Sequence, residues 1–252
     1  MLQLIHRLGL FTLCALGLSA CSGAVRMHTE RDSARTIEEK YTDVRTPAGN
    51  YVHHGPYTAR YTSTGKLAAS GEYRDGLKYG KWQSWYESGK LKQTCNYAQG
   101  MRAGVETIYH ENGQVESQTA FRNGIPHGKF GKWYESGRKQ ERGAFYKGVQ
   151  DGEWVAWYAN GKMKEEGTYK VGKRNGRWVK WYETGQKQDE TNYRDGQKNG
   201  EYMSWRPEGL RWIQGEYRND VKHGTWTTWN DIGLVEKEER FENGRAMASD
   251  SD

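Results

Sequence analysis

Histidines are the first residues of this chain whose type and spacing could support metal chemistry. His127 and His223 each stand directly before a glycine, at equivalent positions of a repeating pattern, and His54 precedes a glycine in the same way. Other copies carry Tyr, Ala, Asp or Asn at that position, which is typical of a turn. His127 and His223 are also four copies apart, too far to chelate one ion. We predict neither a metal site nor a cofactor.

Cysteine and carboxylate chemistry is equally poorly supported. Cys95 has no neighbouring motif that would supply a base, so we interpret it as a small buried side chain. Carboxylates recur before a turn glycine at Glu87, Glu135 and Glu183, but a catalytic acid is not duplicated along a repeat array. Phosphate-loop, dinucleotide-binding and His-Glu-x-x-His motifs are absent from the sequence. The sequence therefore predicts a protein that is not an enzyme.

The one cysteine with a predicted modification is Cys21. Residues 1–20 contain Arg7 and then an apolar stretch, the pattern of a secretory signal peptide that is too short to span a membrane. The following Leu18-Ser19-Ala20-Cys21 is similar to the bacterial lipobox, which implies lipidation of Cys21. Ser at position 22 implies sorting to the outer membrane, facing the periplasm or the cell surface. With Cys14 removed and Cys21 modified, no internal disulfide is available.

A column of cations is the candidate binding feature. It occupies the position two residues before a periodic glycine, where Pro126 and Gln150 interrupt it. Its members are Lys78, Arg102, Arg174, Lys198 and Lys222. In a meander they would line one edge at intervals of about 10 Å. They are either solvated turn cations or a basic edge that faces anionic lipid headgroups or an acidic partner.

Composition limits the elements that could position these residues. Leu, Ile, Val and Phe together are 34 of 252 residues, and seven of the 12 Leu lie in the first 18. Such a chain cannot fill a thick core, yet it contains 11 Trp, 17 Tyr and 32 Gly. The net charge of +6 arises from 38 cations and 32 carboxylates, which predicts a mixed surface and no nucleic-acid partner.

Glycine spacing reveals an internal repeat of 24 residues. It holds without a slip from Gly80 to Gly224, and Gly55 begins an earlier copy offset by 25 residues. A second glycine follows nine residues later, then an aromatic after eight more. Short aromatic or β-branched runs alternate with pairs such as Asn160-Gly161 and Asp75-Gly76, which are hairpin signals. Each of the eight copies is therefore predicted to be two antiparallel strands, with glycine where φ must be positive.

Aromatic residues are predicted to replace the missing aliphatic core. A mostly small residue stands two positions before each repeat's aromatic, as at Gly167 and Tyr169. A large ring on the neighbouring strand could lie over this small site. We assign this role to the rings at one repeat position: Trp82, Trp154, Trp178, Tyr202 and Trp226.

The predicted architecture is an all-β, elongated, single-layer meander of antiparallel β-hairpins built from eight repeats of about 24 residues. Sixteen strands about 4.8 Å apart would extend roughly 75 Å. The predicted organisation is a signal peptide at 1–20, a flexible tether at 21–50, the repeat array at 51–245 and a disordered tail at 246–252. A short helix near residues 34–41 is compatible with the tether sequence.

The copy from Tyr169 to Trp178 resembles the MORN (membrane occupation and recognition nexus) repeat. It is most similar to the bacterial variant with Tyr-x-x-Gly-x-x-x-Gly-x-Trp, often labelled an antitoxin of the YwqK type. The resemblance covers about residues 51–245 and implies a non-enzymatic scaffold that binds proteins or lipids. A second resemblance, of Gly-x-Trp-x-x-Trp-Tyr to choline- or glucan-binding repeats, implies a glycan ligand.

These observations favour a lipid-anchored interaction scaffold at the cell envelope, bound to the membrane through Cys21 and to another protein as its partner. The alternatives are an antitoxin-like or immunity-like inhibitor of one partner, and a module that binds glycan or anionic lipid.

Overall fold

The computed structural model describes residues 25–31 and 37–247, which form strands and turns and contain no helix. The predicted signal peptide, the lipidation site Cys21 and most of the predicted tail lie outside the described residues. The first strands are β1 (Val25–Arg31), β2 (Ile37–Arg45), β3 (Tyr51–His53), β4 (Gly55–Tyr61), β5 (Leu67–Arg74), β6 (Leu77–Trp85), β7 (Leu91–Ala98) and β8 (Met101–Tyr109). The others are β9 (Val115–Arg122), β10 (Ile125–Trp133), β11 (Lys139–Tyr146), β12 (Val149–Gln150), β13 (Gly152–Trp157), β14 (Met163–Lys170), β15 (Lys173–Trp181), β16 (Lys187–Arg194), β17 (Gln197–Trp205), β18 (Arg211–Arg218), β19 (Val221–Trp229), β20 (Val235–Glu242) and β21 (Arg245–Ala246).

The described chain divides into two compact units. The first comprises the described residues up to Gln114 with Phe121–Gly124, and the second comprises Val115–Ala120 with the described residues from Ile125 onward. In each unit, most strands that follow one another in sequence pair antiparallel, for example β6 with β7 and β15 with β16. Two pairs of consecutive strands instead share one partner: β3 and β4 pair with β2, and β12 and β13 pair with β11. This confirms the predicted all-β class and the meander of antiparallel hairpins with a 24-residue period.

Two kinds of turn join the strands. In the tight turn both central residues have positive φ, 52° at Asp75 and 79° at Gly76, which is the type I′ geometry that matches strand twist. In the longer turn the Gly161 amide donates to the Tyr158 carbonyl, 2.9 Å away. Glycine takes the strained position of both turns because it has no Cβ to clash.

The glycines that recur every 24 residues from Gly80 to Gly224 lie inside strands and not in turns, which corrects one part of the sequence interpretation. Gly176 has φ of 78° and belongs to β15. Glu166 faces Val179 and Thr168 faces Asn175, so Gly167 alone opposes a bulge that runs from Gly176 to Trp178. A bulge needs positive φ as a turn does, and the sequence could not distinguish them. His127 and His223 accordingly lie in β10 and β19.

The segment predicted as a tether contains two strands. β1 pairs with β2, and β2 continues the sheet by pairing with β3 and β4. The His28 ring stacks on Tyr41 with centroids 5.1 Å apart, and Tyr41 contacts His53 at 4.2 Å. Within the segment compatible with a short helix, residues 37–41 lie in β2. Strand pairing and ring contacts outweigh the polar composition of this segment.

The predicted packing of rings over small residues is confirmed. Trp82, Trp154, Trp178 and Trp226 are all buried. A Cβ added to Gly167 would lie 2.2 Å from Trp178 Cδ2, so the indole lies directly on the glycine backbone. Gly71, Gly143 and Gly215 meet Trp82, Trp154 and Trp226 in the same way.

Candidate binding surfaces

Aromatic rings on one face of the sheet form what we call the ring ladder. In the first unit Tyr73 contacts Trp82 edge to face, with centroids 5.0 Å apart. In the second unit Trp154 contacts Tyr169 at 5.7 Å, and Tyr169 contacts Trp178 at 4.9 Å. Edge-to-face geometry aligns the positive ring edge with the negative ring face, so each contact adds to the burial of the rings.

The five cations of the predicted basic edge all lie over rings. The distances from the charged group to the nearest ring centroid are 4.1 Å for Lys78 to Trp82, 5.1 Å for Arg102 to Phe121, 4.0 Å for Arg174 to Trp178, 4.7 Å for Lys198 to Tyr217 and 4.4 Å for Lys222 to Trp226. Cation–π attraction therefore holds this column against the ring ladder. Whether the column also binds a ligand stays a prediction.

The surroundings of a column cation change its pKa, as Lys78 shows. Burial lowers the pKa of the Lys78 ammonium, and the nearby positive charge of Arg102 lowers it further. Arg174 in addition lies 2.7 Å from Glu165 and is held between that carboxylate and the rings. The column cations therefore interact with aromatic rings of the protein and, at Arg174, with one of its carboxylates.

Glu106 occupies the position that a ring takes in the other copies. Its side chain is buried, accepts a hydrogen bond of 2.7 Å from Gln93 Nε2 and lies 3.4 Å from Arg102 Nε. Cys95 is buried beside it, and burial together with the Glu106 charge raises the pKa of the Cys95 thiol to about 11. The thiol is protonated at neutral pH, which agrees with a structural and unreactive role.

A second set of aromatics, which we call the indole row, lies on the face opposite to the ring ladder in the second unit. A spacing of three residues along a strand, as from Trp154 to Trp157, puts two side chains on opposite faces. The Trp133 ring lies over its own strand, 2.5 Å from where a Cβ of Gly131 would be. All five members are half-buried: Trp133, Trp157, Trp181, Trp205 and Trp229.

Hydrogen bonds brace the backbone beneath the indole row. The hydroxyls of Tyr134 and Tyr158 donate to the carbonyls of Trp157 and Trp181, each 2.8 Å away. Tyr182 donates to the Trp205 carbonyl at 2.9 Å, and Arg206 donates to that of Trp229 at 3.1 Å. Val155 and Val179, two positions before Trp157 and Trp181, are buried on the same face. The row therefore combines exposed indole surface with a fixed backbone.

A groove runs beside one member of the row. It is lined by Glu190, Asn192, Glu201, Tyr202, Met203, Trp205 and Gln214. Arg177 and Lys187 both pair with Glu190, which lowers the pKa of that carboxyl, chiefly through the Arg177 hydrogen bond. The groove presents an indole and a thioether beside two carboxylates and two carboxamides, so its lining combines apolar and polar groups as a protein interface does.

Sequence reasoning did not find the cluster formed by His28, Asp43 and His53. His53 Nδ1 lies 2.6 Å from one Asp43 oxygen, and His28 Nε2 lies 3.2 Å from the other. The signal was hidden because strand pairing, and not sequence spacing, brings the three together. Within residues 25–31 and 37–247, no group of three His, Cys, Asp or Glu side chains has a metal-binding arrangement. In the same residues, no helix is long and apolar enough to cross a membrane.

The repeat of this chain is similar to a known family of repeats. Four segments match the family model of the MORN repeat variant: residues 78–99, 102–123, 150–170 and 174–195. Each matched segment spans one hairpin, from an outgoing strand through the longer turn to the return strand. A porin-like protein from Bacteroides uniformis is similar in structure at 10% identity over 88% of this chain and 90% of that chain. Its TM-score of 0.21 is too low to support any statement about this chain. Curated protein sequences include no significant match.

Proposed function

Because the chain is a MORN-repeat protein, we propose that it is a non-enzymatic scaffold that binds another protein through the indole row. The observation that carries this proposal is the row itself, which presents one half-buried indole per repeat on a braced backbone. Tryptophan is enriched among the residues that dominate binding energy, since its large ring contributes area at low entropic cost. Regular spacing suits an extended partner surface that contacts several repeats.

We place this scaffold at the bacterial envelope, anchored through a lipid on Cys21. The support is the Leu18-Ser19-Ala20-Cys21 pattern after an apolar leader, with Ser at position 22 favouring the outer membrane. In that position the scaffold would meet partners in the periplasm or at the cell surface. Loss of acylation in a Cys21→Ser variant, read by mass spectrometry and membrane fractionation, is the expected result.

Crosslinking and pull-down of the full chain from its native envelope tests the binding role. We expect a defined partner to be captured by the wild-type chain and lost from a Trp157→Thr/Trp205→Thr variant. A Val149→Thr/Val171→Thr variant is the matched control, because both valines are exposed apolar residues at the tight-turn edge. Equal capture by all three proteins would exclude the indole row as the binding surface.

Two alternative functions have their own readouts. An inhibitor or antitoxin-like role predicts that the captured partner is a single toxic protein and that deletion of the chain arrests growth. A glycan or anionic-lipid role predicts binding to isolated glycan or vesicles in the absence of protein. Placement of the five column cations over rings favours the protein-binding role, since the rings cover part of each charged group and make it less accessible to lipid headgroups.

A further inference from the structure

The last two repeats carry an exposed apolar cluster, which we call the C-terminal patch. Its members are exposed by 40% at Leu210, 41% at Trp212, 71% at Ile232, 61% at Leu234 and 56% at Val235. A contiguous exposed apolar surface on a folded protein commonly marks an interaction site. All five residues belong to the second unit.

The fold does not require apolar side chains at the positions of Leu210, Trp212, Ile232 and Leu234, whereas the position of Val235 is also apolar in other copies, as at Leu67 and Leu91. Other copies carry Lys66, Lys90 and Lys162 where this region has Leu210 and Leu234. They carry Lys92 and Lys164 at the position of Trp212, and serine, threonine, asparagine or glutamate at the position of Ile232. The same hairpin therefore forms with polar side chains, and the apolar ones gain little from folding because they remain exposed.

Leu210 and the turn that carries Ile232 and Leu234 lie against each other. Leu210 Cδ2 lies 3.8 Å from where a Cβ of Gly233 would be, so Leu210 reaches the turn that carries Ile232 and Leu234. Trp212 follows two residues later at the start of β18, where Arg206 lies 5.5 Å over its ring. The turn is fixed, because Asn230 Oδ1 accepts hydrogen bonds from the amides of Ile232 at 3.2 Å and Leu234 at 2.9 Å.

The region around the patch has an acidic excess. Residues 201–242 contain nine carboxylates and six Lys or Arg, although the chain as a whole carries +6. Glu208, Asp231 and Glu236 stand next to or two residues from patch members. Two nearby cations are engaged within the protein: Arg206 donates to the Trp229 carbonyl and lies 5.5 Å over the Trp212 ring, and Lys237 lies 2.8 Å from Glu239. Arg211 stands between Leu210 and Trp212, so the carboxylates beside the patch outnumber it three to one.

We infer that the C-terminal patch docks a basic segment of a partner protein, with aliphatic side chains on the patch and flanking Lys or Arg beside its carboxylates. This rests on the proposed function and names the chemistry of the partner. An anionic membrane fits less well because it would be repelled by the acidic excess. A second copy fits less well because self-docking would bring Glu208, Asp231 and Glu236 near their own counterparts.

Titration of the full chain with synthetic peptides tests the inference. The probes are a peptide of alternating Leu and Lys, one of Leu and Glu, and one of Ser and Lys. We expect the Leu-Lys peptide to bind at least about tenfold more tightly than either of the others, because only it offers both apolar and cationic groups. A Leu210→Lys/Trp212→Gln/Leu234→Lys variant should weaken that binding by at least about tenfold.

Controls separate a binding effect from loss of folding. The patch variant introduces only residue types that other copies carry at these positions, so its thermal midpoint should match that of the wild type. A Leu77→Lys/Val149→Lys/Val171→Lys variant, which changes equally exposed residues elsewhere, should retain peptide binding. Equal affinity for the three peptides, or equal binding by the patch variant, would overturn the inference.

Three further measurements are decisive. Binding of the wild type to phosphatidylglycerol vesicles that the patch variant lacks would assign the patch to lipid and overturn the inference. Concentration-dependent dimerisation that the patch variant abolishes would assign it to a second copy, with the same consequence. If the envelope pull-down succeeds equally with the patch variant, the inference fails while the proposed function stands.

Discussion

In each copy, the small residue at the position of Gly167 and the side chain at the position of Trp178 that packs on it are matched in size. Wherever the small position holds glycine, the ring position that follows holds tryptophan, as at Gly167 and Trp178. Where it holds Cys95, Thr119 or Thr191, the ring position holds Glu106, Phe130 or Tyr202. An indole needs the space that a missing Cβ leaves, whereas a smaller side chain tolerates a neighbour with one. Within each pair, the two side chains therefore fill the shared space together, the larger ring facing the smaller residue.

A double-mutant cycle at Gly167 and Trp178 checks this matching. Gly167→Thr alone should lower the free energy of unfolding by about 2 kcal/mol or more, because the new Cβ overlaps the indole. Adding Trp178→Tyr should recover part of that loss, since it recreates the pair that Thr191 and Tyr202 form. Urea denaturation measures both. Strictly additive losses would contradict a direct steric coupling.

Cys95 should resist thiol reagents in the folded protein. With a pKa of about 11, roughly one thiol in a thousand is ionised at pH 8. Alkylation by iodoacetamide should therefore be slow until urea unfolds the chain. Equal rates in the folded and unfolded protein would contradict the burial of the thiol.

The same thiol makes stability depend on alkaline pH. Its pKa is 9.0 as a reference and about 11 when folded, so between these values the unfolded state loses the proton that the folded state retains. The free energy of unfolding should fall from pH 9 to pH 11. In Cys95→Thr, which copies Thr119 and Thr191, the fall should be shallower. Burial also raises the pKa of Tyr202 and Tyr217, so some dependence should persist.

At the scale of the element, the tight turns place several residues other than glycine in the left-handed region, among them Gln99 and Lys147, and among the described turns Val171 is the one with a β-branched side chain there. Val171 has φ of 49°, and its counterparts Asp75, Asn123 and Asp195 are of the types that tolerate the left-handed region. A β-branched side chain there costs about 1–2 kcal/mol. The side chain is 70% exposed, so packing does not offset this cost.

Val171→Asn should therefore stabilise the chain. We expect a gain of about 1 kcal/mol in the free energy of unfolding, seen as a higher urea midpoint at an unchanged slope. The reverse change in an equivalent turn, Asn123→Val, should destabilise by a similar amount and serves as the control. An unchanged midpoint in both variants would show that the left-handed turn imposes no cost on valine here.

At the scale of the whole molecule, the net charge of +6 is distributed unevenly and is partly engaged. Residues 201–242 are acidic in balance, and the five column cations lie over rings. A Cys21→Ser chain should consequently sediment only weakly with phosphatidylglycerol vesicles at about 0.15 M salt, where surface charges are screened. Strong binding that falls with added salt and with Lys198→Gln/Lys222→Gln would instead support a basic lipid-binding edge.

Some of the fold could be predicted from glycine and aromatic spacing, and some could not. Tight turns such as Asp75-Gly76 and the packing of Trp178 on Gly167 were predictable because both depend on local backbone and volume. The bulge at Gly176 was not, since positive φ is shared by turns and bulges. The strands β1 and β2 were missed because their composition is polar and their stability comes from pairing.

The candidate surfaces were less predictable than the fold. The column that includes Lys78 and Arg174 could be found by its period, but its position over the rings could not, because long side chains reach across strands. The indole row could have been identified from the three-residue spacing of Trp154 and Trp157. The C-terminal patch could have been identified from Leu210 and Leu234, which replace lysines of other copies.

The period, the all-β class, the turn residues and the chemical types available for binding follow from the order of the amino acids, because they depend on local backbone preference and on composition. The tertiary structure alone decided where the bulges lie, that β1 and β2 join the sheet, and which charges are engaged. These depend on strand register, which fixes the face that each side chain takes and the groups it meets on the neighbouring strand.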